Sequence, residues 1–129
     1  MSPELLVLTL AALLQCVQFL AYSIAANRQV GPRYAMGPRD APVHLKGNAG
    51  RLQRALNNHF EGLILFGIAV GVVTLADKAN AFTAACAWTY LVARVLYIPA
   101  YVFGWTPGRS LIWSVGLLAT AAMLIAALF

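Results

Sequence analysis

The sequence predicts an all-α integral membrane protein, a bundle of four spanning helices in a single domain over residues 1–129. Three observations carry this. The 129 residues are 61% hydrophobic and only 10% charged, with a mean hydropathy of +0.75, far too apolar for a small water-soluble domain. The apolar residues fall in four stretches, each close to the roughly 20 residues that a helix needs to cross a bilayer at about 1.5 Å of rise per residue. Between the stretches lie segments of Gly, Pro, Asn and charged residues, where helices stop.

The first span runs from about Pro3 to Ala26, with Ser2 placed to cap it, Pro3 in its first turn and Asn27-Arg28 closing it. Met-Ser-Pro-Glu carries no positive charge and the apolar run is too long for a signal peptide, so the segment reads as a span. Gln15 and Gln18 are its strongly polar interior side chains. Cys16 and Cys86 both lie inside apolar stretches and read as small core residues, not as a disulfide or metal framework. Residues 27–50 form a long loop broken by Pro32, Pro38, Pro42 and several glycines. The second span covers about 51–75, followed by the turn Asp77-Lys78-Ala79-Asn80; the third covers about 81–103. Gly104, Pro107 and Gly108 make the next break, and the fourth span covers about 109–129.

Charge sets the expected orientation. The net charge is +5, and six of the nine basic residues (Arg28, Arg33, Arg39, Lys46, Arg51, Arg54) fall between the first two apolar cores. Positive charge collects on the cytoplasmic side, so the first and third loops are expected to face the cytoplasm. The basic stretch has no aromatic platform and no nucleic-acid module, which argues against nucleic acid as a partner. Trp105 and Trp113 flank the third loop and read as interfacial belt residues, with Trp88 and Tyr90 elsewhere on span three.

Ionisable side chains at membrane depth are costly and mark function by default. On span two, Arg51, Arg54, Asn58 and Glu61 occur at i, i+3, i+7 and i+10, which at 100° per residue places them within about 80° of one helix face. On span three, Arg94, Tyr97 and Tyr101 share an arc of about 60°. Two polar stripes can therefore face each other. Glu61 lies about ten residues into its span, roughly 15 Å at helical rise, with Arg54 or Arg94 as its expected partner. Pro99 removes one helix hydrogen bond and should bend span three near Val95. Arg109, beside Ser110, opens span four. Several guanidinium groups, one carboxylate and an amide suit a small zwitterionic or polyanionic ligand, and a guanidinium beside a thiol stabilises the thiolate. Neither His44 nor His59 has metal-ligand spacing, and no nucleophile–base pair or phosphate loop is present.

The run Arg51-Leu-Gln-Arg54-Ala55-Leu-Asn-Asn58-His-Phe-Glu61 resembles the Arg-x-x-Arg-Ala-x-x-Asn-x-x-Glu signature of the MAPEG family, membrane-associated proteins in eicosanoid and glutathione metabolism. Ala93-Arg94-x-x-Tyr97-x-x-x-Tyr101 and Arg109-Ser110 are similar to the family's elements on spans three and four, and the resemblance covers nearly the whole chain. It implies a homotrimer that binds glutathione as thiol co-substrate between protomers near the cytoplasmic side, with a lipophilic electrophile arriving from the lipid. It also implies that Arg51, Arg54, Asn58 and Glu61 hold the charged ends of the peptide, that Arg94, Tyr97 and Tyr101 line the pocket, and that Arg109 stabilises the thiolate. Arg28 matches by position an arginine contributed by the adjacent protomer. Gly62 stands where several eukaryotic members carry an aromatic or other larger residue.

The expected function is a glutathione-dependent membrane transferase or peroxidase, microsomal glutathione transferase-like and seated in a bacterial inner membrane. A non-catalytic lipid- or ligand-binding protein of the same fold is the alternative from another class. A small exporter is a third, disfavoured because Gln15 and Gln18 stand where such transporters carry a membrane-embedded carboxylate.

Overall fold

A computed structural model describes residues 1–31, 37, 45–105 and 107–129. They form four helices, α1 (Pro3–Val30), α2 (Gly47–Leu75), α3 (Ala81–Val102) and α4 (Gly108–Ala126), each long and apolar enough to cross a membrane. Most of the expected 27–50 loop, with Arg33, Arg39 and His44, lies outside the described residues.

The helix ends follow from local chemistry. The Ser2 side chain accepts from Leu5 N at 3.3 Å and Pro3 occupies the first turn of α1. The helix runs past Asn27-Arg28, where the sequence reading closes it, because neither residue forbids helical geometry; it stops at Gly31, whose φ of 87° glycine tolerates without strain. Gln29 then ties the two helices together: its Nε2 donates to Lys46 O at 2.9 Å, and its Oε1 accepts from Lys46 N at 2.8 Å. This clamp starts α2 at Gly47, a full turn before Arg51. Arg51 is therefore already inside the helix.

Asn80 caps α3 through a reciprocal box, its Oδ1 accepting from Thr83 N at 3.0 Å while Thr83 Oγ1 accepts from Asn80 N at 2.8 Å. Thr83 also donates to Oε1 of the buried Glu4 at 2.7 Å, which fixes the start of α3 against the start of α1. Thr83→Val removes both side-chain bonds and strands a buried carboxylate. It should cost about 2 kcal/mol, read as a lower thermal midpoint in detergent. Pro99 lies inside α3, which nevertheless continues to Val102.

α2 and α3 form the centre of the bundle, with α1 packed against both on one side and α4 against both on the other. The apolar core gathers Val7, Phe66, Val70, Val73, Ala87, Tyr90 and Met123, all toward the Asp77 turn. Small residues allow close approach of the kind that stabilises membrane helices: a Cβ on Gly116 of α4 would stand 3.7 Å from Ala93 Cβ of α3. Cys86 is buried as expected, whereas Cys16 is exposed on the outer face of α1 and is not a core residue. Gln15 and Gln18 turn inward and are buried, as is His59, whose Nε2 lies 3.2 Å from Ala11 O.

Candidate functional site

The other half of the bundle, toward the third loop, is polar. α2 and α3 present their two stripes to each other, and three contacts join them at successive turns of α2. Arg51 Nη1 donates to Val102 O at 2.6 Å, satisfying a carbonyl that the end of α3 leaves without a helical partner. Arg54 Nε donates to Tyr101 Oη at 3.1 Å. Deepest of the three, Arg94 Nη2 donates to Asn58 Oδ1 at 3.1 Å, and Arg94 is only 3% exposed.

Aromatic rings extend this lattice to α4. The Arg94 guanidinium carbon stands 4.8 Å from the centre of the Tyr97 ring, and Tyr97 lies 5.7 Å from the ring of Tyr101. Arg109, on the first turn of α4, places its guanidinium carbon 4.8 Å from the centre of that same Tyr101 ring, with Arg54 at 5.8 Å. Tyr101 thus draws two guanidinium groups from different helices to one ring through cation–π attraction. Among the described residues, every hydrogen bond these arginines make goes to a neutral group: a carbonyl, a phenol or an amide. With Glu61 the one carboxylate lining the cavities among the described residues, the four guanidinium groups leave an excess of positive charge, a field that attracts carboxylate, thiolate or phosphate.

Glu61 does not pair as the sequence reading expects. Arg54 turns to Tyr101 and Arg94 to Asn58, which leaves Glu61 exposed at the rim of a cavity. Helical arithmetic places Glu61 on the same face as Arg54 but about two turns deeper; Asn58, between them, reaches Arg94 first.

Two neighbouring cavities lie between α2, α3 and α4. The outer, of about 160 Å³, is lined by Asn58, Tyr97, Arg109, Ser110 and Trp113. The inner, of about 170 Å³, is shaped by Glu61, Gly62, Tyr90, Arg94, Leu117 and Thr120 among others, and shares Asn58 and Trp113 with the outer. Together they make a cleft that is cationic near Arg109 and becomes apolar with depth. Leu65, Leu117 and Trp113, on its inner wall, are 40–43% exposed, so the inner chamber opens sideways from the bundle. Arg28 lies apart from this cluster, at the end of α1, lining a pocket of about 440 Å³ with Gln29, Lys46 and Asn48. Among the described residues no group of three His, Cys, Asp or Glu could hold a metal ion.

Several lining residues were not read as such from the sequence, Trp113, Gly116 and Tyr90 among them. Trp113 reads there as a belt residue but walls both chambers. Gly116 and Tyr90 line the inner one. The signal for Tyr90 was present: one turn before Arg94, it falls inside the same 60° arc as Tyr97 and Tyr101. On α4, positions 109, 113, 116 and 120 share an arc of about 60° in the same way.

A search of the curated proteins gives no match. The MAPEG family matches over residues 5–129, which takes in all four helices and every residue of the cleft. The chain belongs to the MAPEG family, a multi-pass membrane family whose members include glutathione transferases and related enzymes.

Proposed function

We propose that this protein is a glutathione-dependent transferase or peroxidase that acts on lipophilic electrophiles. One observation carries the reading: two neighbouring cavities that share Asn58 and Trp113 lie between a cluster rich in guanidinium groups and an apolar wall open to the side. The guanidinium groups and Glu61 suit a polar tripeptide thiol, and the apolar wall of Leu65, Leu117 and Trp113 suits a membrane-borne substrate.

The residues fit the tripeptide. Arg51, Arg54 and Arg94 offer guanidinium forks for its two carboxylates. Glu61, engaged by neither Arg54 nor Arg94, is left to take its ammonium group, and the Asn58 amide lies between them. Bound glutathione supplies the nucleophilic sulfur. Arg109 then does the chemical work of this chain: its fixed positive charge lowers the free energy of the thiolate relative to the thiol, so the proton leaves to water and the sulfur lone pair is ready for attack. The Tyr101 ring beneath the guanidinium holds that charge in place. Trp113 lines both chambers.

A homotrimer accompanies this reading. Arg51, Arg54, Asn57 and Glu61 stand exposed on α2, and a charged face toward hydrocarbon is costly. A neighbouring copy would cover it and bring its own Arg28 to the cleft. Cytoplasmic first and third loops and a bacterial inner membrane belong to the same proposal.

The test is direct. Protein purified in detergent should bind glutathione saturably, raise the ultraviolet thiolate absorbance on binding, conjugate a generic aryl halide and run as a trimer. No glutathione binding sinks the reading. Binding of glutathione or lipid without a thiolate signal or turnover favours the non-catalytic alternative, to which a separate apolar groove of about 390 Å³ between α3 and α4, lined by Trp88, Val92, Leu96 and Val115 among others, gives some support.

A further inference from the structure

The floor of the inner chamber holds two polar groups that the protein leaves unsatisfied. Tyr90 is 2% exposed and, among the described residues, its hydroxyl has no hydrogen-bond partner; Nε of the neighbouring Arg94 has none either. Buried donors are normally paired, and leaving one unmade costs more than a typical bond contributes. The Tyr90 ring cannot easily swing away to find a partner, because Phe66 stacks on it at 3.9 Å with the planes 3° apart.

Glycine leaves room beside the Tyr90 hydroxyl and the Arg94 guanidinium. A Cβ on Gly62 would stand 3.5 Å from Tyr90 Oη and 3.7 Å from Arg94 Cζ and Nη1, ordinary contact distances. Alanine would fit there, and it is the better helix former by about 0.5–1 kcal/mol. The glycine therefore leaves a gap that packing does not require, and the gap borders a phenol and a guanidinium at the apolar end of the cleft.

We infer that Tyr90, Arg94 and Gly62 form a specificity subsite for a hydrogen-bond-accepting oxygen carried on the lipophilic partner of the thiol. This rests on the glutathione reading of the same cleft. Asn58 and Trp113 line both chambers, so a chain attached to sulfur near Arg109 runs past them toward Tyr90. A ketone oxygen accepts from the Tyr90 hydroxyl; a purely hydrocarbon chain leaves that donor unpaired. Tyr90 acts here on binding and selection, not on the reacting atoms.

The experiment compares product analogues in the detergent-solubilised full chain. S-hexylglutathione is set against S-(oxohexyl)glutathiones with the ketone at each of carbons 2 to 5, and glutathione alone is titrated in parallel. At least one ketone should bind about tenfold more tightly than the hexyl conjugate. Tyr90→Phe should reduce that ratio to near one without lowering the ligand-free thermal midpoint, since the removed hydroxyl has no partner. Gly62→Ala should also erase the ratio while its midpoint holds or rises. Equal binding of all conjugates by the native protein, a ratio that survives both substitutions, or a drop in midpoint for Tyr90→Phe overturns the subsite alone. Failure to bind glutathione or any conjugate overturns the glutathione reading, and the subsite with it.

Discussion

Arg109→Ala is expected to lower kcat/KM for an aryl halide by on the order of 10²-fold, the usual loss when one group that stabilises an anionic reacting centre is removed. Arg109 is the guanidinium of the cleft that stands on α4, over the Tyr101 ring at 4.8 Å and beside Ser110 in the outer chamber. If it stabilises the thiolate, its loss lowers kcat and the thiolate absorbance together, while glutathione still binds through α2 and α3. Arg109→Lys keeps the charge but loses the planar stacking on Tyr101, and should recover only part of the rate. Unchanged thiolate absorbance in Arg109→Ala would remove the arginine from the chemistry.

Arg94→Leu separates binding from folding. Arg94 is almost fully buried and bonds an amide, not a carboxylate; its charge is desolvated without an ionic partner, an arrangement that costs the ligand-free protein. Leucine is shorter but apolar and relieves that cost, so the thermal midpoint in detergent should hold or rise. Glutathione affinity should fall about 10- to 100-fold, the worth of a charge-assisted hydrogen bond lost inside a protein. A variant that unfolds while the remaining protein binds normally would assign Arg94 a structural role instead.

The two substitutions address different parts of one lattice, and the sequence disclosed those parts unevenly. Hydropathy located four apolar stretches, and helical periodicity placed Arg51, Arg54 and Asn58 opposite Tyr101 and Arg94, because 100° per residue decides which side chains share a face. It does not decide which neighbour a side chain reaches across the gap. Hence Glu61 was matched to an arginine by charge, whereas Asn58, one turn nearer, makes the bond to Arg94. Helix ends were displaced for local reasons: the Gln29–Lys46 clamp extends ordered chain into what composition reads as loop, on both sides. Trp113 and Tyr90 resemble membrane-belt and core residues by type alone, and only the approach of α4 to α3 at Gly116 turns them into walls of a cleft. Gly62 shows the same dependence. As one letter in a signature it is a departure from other members; in place, it is an opening beside Tyr90 and Arg94.

The most direct test of the central claim is an experimental structure of the purified protein with glutathione. The tripeptide should lie between α2 and α4, with a carboxylate within hydrogen-bond reach of Arg54 or Arg94, its ammonium on Glu61 and its sulfur facing Arg109. Glutathione bound away from these residues, or a cleft filled along its whole length by lipid with no tripeptide, would contradict it.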